Sequence, residues 1–382
     1  MGEPVVAERK TLAASLSTLG EYQWMFLRNI WQEVTGSFGE AGIGSLERGL
    51  WRYGYYRGEQ IRNDPRVLAG ERDCLAFLDA FDGPEFALCE QVVLDGTATD
   101  LTATLPSVPG ADYLVPRGCG SVLRLFWPQV LSGLAAGYDP SLVVDVGEVP
   151  TDGTSAWSLR LRMDGAAPSR PAEALTDPIG DRVRYILLAR KTTALIAAAE
   201  MYVARELIHA FDASGEEAIR RACYGYGVER GLDLRDRVAA AGGDFDFLGL
   251  RSAVDARDPL NAVFAIGGEV YHSPALDFYD CTYCPLAEVW AKEGPAGLAL
   301  GYLFDMEFHR GLVETYHPGG VVKWDALKTR GDSVCRFRFV IPELVTEAEQ
   351  PLVWREPLRE PQGGPVQLRP PSAGDSSRTA PR

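Results

Sequence analysis

A chain of 382 residues is long enough for two hydrophobic cores at roughly 150 residues each. Its 53 acidic and 38 basic residues leave a net charge of −15 with no Lys/Arg cluster, which excludes the basic footprint of a nucleic-acid binder and disfavours anionic membrane surfaces. Apolar residues at 46% and charged ones at 24% exclude global disorder, and the most apolar helical run, Thr193 to Ala204, is too short and is broken by Glu200, so no membrane span is expected.

The start, Met1-Gly2-Glu3-Pro4, lacks the basic and then apolar regions of a secretory signal, and seven cysteines form an odd, scattered set. A cytoplasmic protein with free thiols is the expectation. In chain order, helical periodicity covers Thr18 to Val34 and Glu40 to Arg62. Phe86 to Leu105 follows as hairpin material with Asp95-Gly96 as its turn signal, then a helix opened by Cys119, then a β-rich stretch from Leu142 to Met163. An Ala- and Pro-rich linker spans Asp164 to Pro178. The same order then returns: helices over Asp181 to Phe211 and Gly215 to Ala240, a hairpin over Ala262 to Asp280 with Gly267-Gly268 as turn signal, a helix opened by Cys284-Pro285, and a β-rich stretch from Val321 to Ile341. Within the last, Cys335 to Phe339 alternates as a half-buried strand does. A segment rich in Gly, Pro, Ser and Arg closes the chain and is expected to be disordered.

The recurrence extends to residues. Tyr53-Gly54-x-x-Arg57-Gly58-x-x-Ile61-Arg62 matches Tyr226-Gly227-x-x-Arg230-Gly231-x-x-Leu234-Arg235 at a separation of 173 positions. Tyr138-x-Pro140 matches Tyr316-x-Pro318, and Thr151-x-Gly153-x-Ser155 matches Thr329-x-Gly331-x-Ser333, both at 178. These pairs predict an α+β protein of two tandem copies, each a helical bundle packed on an antiparallel sheet, in a pseudo-twofold arrangement. The expected boundaries are 1–163, a linker 164–178, 179–345 and a tail 346–382.

Several residues carry chemistry. A repeated Gly pair four apart in a helix marks close approach, either by another helix or by a ligand. On the neighbouring face, Tyr226 and Arg230 are placed to look into a pocket, with Arg230 able to hold a carboxylate in bidentate fashion. Cys284 precedes Pro285 and so should cap a helix, where the dipole lowers a thiol pKa and favours a nucleophile. Asp305 and His309 share a helix face and form a candidate acid–base pair, and His272 lies in a strand from which it can face the pocket or water. Glu206-x-x-His209 has the spacing of a carboxylate–histidine metal helix and, with Asp305 and His309, offers an iron site; Cys281-x-x-Cys284 alone is a weak zinc signal. No nucleophile elbow, phosphate loop or dinucleotide fingerprint is present, and no motif calls for a cofactor.

Tyr-Gly-x-x-Arg-Gly in a helix, Cys284-Pro285, Tyr316-His317-Pro318 and Gly331-Asp332-Ser333-Val334-Cys335-Arg336-Phe337 together resemble the L-2-amino-thiazoline-4-carboxylic acid hydrolase family, related to four-vinyl-reductase-type small-molecule domains. The resemblance covers most of 181 to 342 and, more weakly, 20 to 163. It implies hydrolysis of a C–N bond in a small cyclic, amidine-like or amino-acid-derived substrate, with Cys284, Asp305 and His309 as catalytic residues and Tyr226, Arg230 and His272 binding substrate. Departures stand beside it: Trp324-Asp325-Ala326-Leu327 lacks the cysteines of the zinc-binding relatives, and Gly301 to Phe304 lacks the Cys that usually precedes the matching Asp. The first copy is 13 residues shorter where Asp305 and His309 stand, and Trp157 replaces Cys335 there, so the second copy is expected to hold the active site. A cyclase or lyase of specialised metabolism, or a non-catalytic binding protein, are the alternative expectations, and a homodimer stays open.

Overall fold

The computed structural model describes residues 3–68, 72–80, 92–163, 182–255 and 263–353. The elements are helix α1 (Glu3–Arg62), strands β1 (Val93–Gly96) and β2 (Asp100–Leu105), helix α2 (Ser121–Tyr138), and strands β3 (Leu142–Asp145) and β4 (Trp157–Met163). The C-terminal half follows with α3 (Arg182–Ala240), α4 (Phe247–Asp255), β5 (Ala265–His272), β6 (Leu276–Tyr283), α5 (Pro285–Lys292), α6 (Gly294–Tyr316), β7 (Val321–Ala326) and β8 (Cys335–Val340). The protein is α+β, and no described helix is long and apolar enough to cross a membrane.

The two long helices each bend where the periodicity lapses. In α1 the break is Gly39, at φ 55° and ψ −135°; in α3 it is Asp212, at φ 47° and ψ −129°. Glycine reaches such a conformation without strain, whereas Asp212 is the one non-glycine residue at positive φ among those described. Gly39 and Asp212 lie 173 positions apart, the separation of Tyr53 from Tyr226.

Each half carries a four-stranded antiparallel sheet, in the orders β1-β2-β4-β3 and β5-β6-β8-β7. The first hairpin reverses just beyond its Asp-Gly signal: Asp95 and Gly96 pair within β1, and the turn is Thr97 to Asp100, where the Thr97 amide donates to the Asp100 carbonyl. The second does not turn at Gly267-Gly268: those residues lie within β5, at a bulge in its pairing, and the chain reverses at Ser273 to Ala275, where the Ser273 amide donates to the Leu276 carbonyl. A Gly pair inside a strand thus marks an irregular register rather than a reversal.

The repeated glycines serve helix crossings. A Cβ on Gly54 would stand 2.2 Å from the Val130 carbonyl oxygen of α2, and one on Gly227 would stand 2.1 Å from that of Phe308 in α6. Gly133 of α2 and Gly311 of α6 complete the two crossings from the other side, against the carbonyls of Trp51 and Tyr224. Backbones meet where side chains would otherwise hold helices 8–10 Å apart. The Tyr138 hydroxyl donates to the Asp73 carbonyl and the Tyr316 hydroxyl to that of Asp246, again 178 and 173 positions apart.

One main hydrophobic cluster runs through both halves, from Leu16 to Ile341, in place of the two separate cores that length alone allowed. Charged contacts also join the halves: Glu229 of α3 accepts from Arg28 at 2.7 Å, from Asn29 at 2.9 Å and from the Tyr113 hydroxyl. The expected linker lies outside the described residues. The expected tail is ordered over 346–353: Val353 is buried, Lys323 and Arg338 donate to its carbonyl, and Glu349 accepts from Tyr271, Thr346 and Ser273. This segment covers the outer face of β8. Arg338 is therefore buried against Asp325 and the simple alternation expected for Cys335 to Phe339 fails.

Candidate functional site

A cavity of about 190 Å³ lies between helices α3 and α6 and the sheet face formed by β6 and β8, with Leu19 and Tyr22 of α1 on one side. Five of the six residues singled out from the sequence line it: Tyr226 and Arg230 from α3, Cys284 at the start of α5, and Asp305 and His309 from α6. The glycine-mediated crossing of α3 and α6 brings these two helices together beside it. Gly231 faces Leu312, so Arg230 stands near that level of α6, seven residues or ~10 Å of helix rise beyond Asp305.

Asp305 is buried, and its Oδ2 accepts from the Thr329 hydroxyl at 3.0 Å. Burial pushes its carboxyl up to about 7, with the Thr329 hydrogen bond pulling the other way. His309 is half-buried between Phe308 and Phe337, whose ring centroid is 4.1 Å from the imidazole. Burial lowers its pKa to about 4, so the ring is neutral near pH 7. Its Nδ1 lies 2.8 Å from the main-chain oxygen of Asp305 and can only donate there, which leaves Nε2 as the acceptor. The two residues were expected to form a carboxylate–imidazole pair. They are instead joined through the backbone, because an i, i+4 relation lets the imidazole reach the helical carbonyl one turn back.

Cys284 caps α5 as expected, with Pro285 at the first helical position, but its side chain makes no cap hydrogen bond. Hydrogen bonding to Cys281 and burial push its thiol well above the usual range, and the helix N-terminus does not offset them. Cys335, also at the cavity wall, is raised by burial in the same way. These groups are thiols, not thiolates, so the low-pKa nucleophile expected at Cys284 is not what this environment produces. The six described cysteines are free and buried.

His272 is the residue that the site leaves out. It is about one-third exposed on β5, and its ring pairs with Asp277, whose carboxylate also takes Arg251 at 3.0 Å. Asp277 and Arg251 line the cavity; His272, opposite Asp277 on the edge strand β5, shares its sheet face but stands behind it, outside the lining.

Arg230 stacks on the Tyr22 ring, 3.2 Å from its centroid, and shares Asp233 with Arg237 at 3.3 and 2.8 Å. Tyr22 comes from the other half of the chain, and no spacing in the sequence links the two. Arg251, Asp277 and Thr329 were also missed as site residues. Only Thr329 carried a signal, since it opens the repeated Thr-x-Gly-x-Ser motif.

Glu200, the residue that interrupts the apolar run of α3, is fully buried and accepts from the Trp290 indole at 2.9 Å. Burial raises its carboxyl well above the usual range. The metal helix is not formed: Glu206 pairs with Arg48 and Arg52 at 2.9 Å each, and His209 is exposed. Among the described residues no group of three or more His, Cys, Asp or Glu is placed to hold a metal ion.

In the N-terminal half, under β1 to β4, Trp24, Phe126, Trp127 and Trp157 pack against one another, and Arg57 is fully buried beside Tyr53. Trp157 begins β4 as Cys335 begins β8. No protein-family model, curated protein or solved structure matches the chain.

Proposed function

We propose that this chain is a small-molecule enzyme that hydrolyses a C–N bond in a cyclic, amidine-like or amino-acid-derived substrate bound in the cavity. The observation that carries the reading is Asp305: a buried carboxyl at the wall of an apolar cavity, held by burial at about 7 beside a neutral imidazole. A group titrating near the working pH exchanges protons most effectively.

In this mechanism ionised Asp305 takes a proton from water while the water oxygen bonds to the amidine carbon. The His309 Nε2 lone pair accepts the other water hydrogen and fixes its orientation. The proton on Asp305 then passes to the ring nitrogen, and the freed carboxylate takes the hydroxyl hydrogen of the adduct as the carbonyl forms and hands it to the same nitrogen as the C–N bond breaks, leaving a carbonyl, a free amine and the starting carboxylate. Arg230 holds the substrate carboxylate, and Tyr226 forms the wall between the two ends.

The same reading includes a tandem duplication. Its support is the shared strand order, the helix breaks 173 positions apart, the paired glycine crossings and the two Tyr-to-carbonyl bonds. The N-terminal copy is filled with tryptophan and props the C-terminal one, which holds the chemistry.

The test is turnover of a panel of cyclic amidines and imines bearing a carboxylate, 2-amino-thiazoline-4-carboxylate included, followed by mass spectrometry of the products. The expected result is addition of one water with ring opening, falling at least 100-fold in Asp305→Asn. A panel left intact by the folded protein, or an Asp305→Asn variant as active as the parent, overturns the reading.

A further inference from the structure

We propose that Thr329 divides the work of the two Asp305 oxygens: its hydroxyl holds Oδ2 inside the wall, and Oδ1, open to the cavity, is the oxygen that takes up and gives back the proton. Thr329 is then a positioning residue for the hydrolysis proposed above. The substrate is that of the reading above; the assignment of the oxygens stands on the local geometry.

Two features aim the hydroxyl. The Leu327 amide donates to the Asp332 carboxylate at 2.9 Å and the Arg330 amide to the Leu327 carbonyl, closing a 3₁₀ turn over Lys328–Arg330 that Gly331 ends at φ 89°. Thr329 is buried in that turn with its methyl over Gly301 of α6, where an added Cβ would stand 2.8 Å from the Thr329 Cγ2. Gly301 lies one helical turn before Asp305 on the same face. A threonine is stiff at χ1, so a methyl seated at Gly301 fixes the hydroxyl too, and it meets the Asp305 Oδ2 at 3.0 Å.

Among the described residues, Asp305 is the acceptor of the Thr329 hydrogen, and Thr329 is the donor to the Asp305 carboxyl. Turning a buried hydroxyl away from its acceptor would leave its hydrogen unpaired. Thr329 therefore donates whether Asp305 is ionised or neutral, which puts the proton of the neutral form on Oδ1. That oxygen takes no hydrogen bond from the described residues; Asp305 lines the cavity, and Thr329 stands behind it. The other titratable groups around Asp305 are Glu200 of α3, Cys284 at the start of α5, Cys335 of β8 and His309 one turn along α6, each in its neutral form at pH 7. In the N-terminal half the matching threonine has a different partner. Trp127 stands eleven residues before Tyr138, as Asp305 stands eleven before Tyr316, and Thr151 accepts from Arg124 at 3.4 Å. The repeated motif thus does not itself require a carboxyl partner, and the bond to Asp305 belongs to the site.

Full-length protein labelled with carboxyl-13C aspartate reads the Asp305 titration by NMR, its resonance identified by its loss in Asp305→Asn. Thr329→Val matches the shape and removes the donor to the ionised form, so the midpoint should rise from about 7 by about one unit. Thr329→Ser keeps the hydroxyl and should titrate close to the parent. On the substrate that the amidine panel identifies, Thr329→Val should lower kcat by on the order of tenfold with KM within about twofold, and should move the acid limb of the kcat/KM profile up by the same unit; Thr329→Ser should restore both. Circular dichroism establishes that each variant is folded, and if Thr329→Val is not, Thr329→Ala against Thr329→Ser makes the same comparison. An unchanged midpoint in the folded variant, a serine variant that behaves as the valine one does, or full turnover in Thr329→Val overturns the proposal. Midpoints that shift as expected with no turnover of the panel leave the oxygen assignment standing and remove the hydrolase reading alone.

Discussion

The Nδ1 of His309 lies 2.8 Å from the main-chain oxygen of Asp305, and the Asp305 carboxylate turns instead to Thr329. The helix thus fixes the imidazole tautomer while the carboxyl keeps its own, separately tuned proton. Each group is displaced from its ordinary pKa by burial, and in opposite senses as regards stability.

Asp305 has a folded pKa of about 7 against an ordinary 3.8, so the folded state binds its proton more tightly. Its contribution is present at acid pH and lost as pH rises through about 7, worth roughly 4 kcal/mol at the limit. Asp305→Asn is therefore expected to raise the melting temperature at pH 8.5 and to raise it by less at pH 5, where only part of the loss has accrued. Thermal unfolding of both proteins at the two pH values checks this; a variant less stable than the parent at pH 8.5 contradicts it.

His309 behaves in the reverse sense. With a folded pKa of about 4 against 6.5 unfolded, its contribution is present above 6.5 and is lost as pH falls toward 4. With four histidines in the chain, imidazole NMR signals can be assigned by substitution, and the resonance lost in His309→Gln should be the one that titrates near pH 4. A midpoint above 6 for that resonance would contradict the burial seen here.

Cys284 should be a slow nucleophile. Its raised pKa predicts alkylation by iodoacetamide at pH 7.5 at least tenfold slower than that of a free thiol such as glutathione, with the rate still climbing above pH 9. Peptide mapping of the modified protein reads this at the single residue. Rapid labelling at pH 7.5 in the folded state would restore the thiolate reading.

The helix crossings give a stability contrast. Gly227→Ala forces a Cβ to within 2.1 Å of the Phe308 carbonyl oxygen, so α3 and α6 must part, at a cost of about 3 kcal/mol or more. Gly44 also lies in a helix but has open surroundings, with its nearest neighbour the flexible end of Arg48 at 3.7 Å. Gly44→Ala should stabilise by about 0.5–1 kcal/mol. Urea unfolding midpoints separate the two, and similar shifts for both would show that the crossing has room.

Glu200 offers a test of a buried proton. If it is neutral at pH 7, as its burial dictates, Glu200→Gln should leave stability within about 1 kcal/mol of the parent, since the amide oxygen still accepts from Trp290. Glu200→Leu removes that acceptor and should cost about 1–3 kcal/mol more. A large loss in the Gln variant alone would indicate a buried charge.

What could be read from the sequence was whatever depends on near neighbours. Helical periodicity located α1 and α3 and the lapse at Gly39 and Asp212; the glycine pairs announced a close approach; the repeated motifs announced the same succession of elements twice. Helix faces and turns are set by residues within a few positions, so this information is local. The site residues on shared helix faces, Tyr226 with Arg230 and Asp305 with His309, were legible for the same reason.

Only the tertiary structure decided the protonation states and the far walls. Tyr22 reaches Arg230 across 208 positions of sequence, and the Cys284 thiol is governed by Cys281 and burial and not by its helix dipole. His272 stays outside because it lies on the edge strand with Asp277 between it and the cavity, and alternation along a strand does not say where that strand falls in the sheet. Burial is a property of the assembled layers, and a pKa or a cavity depends on how much water those layers exclude.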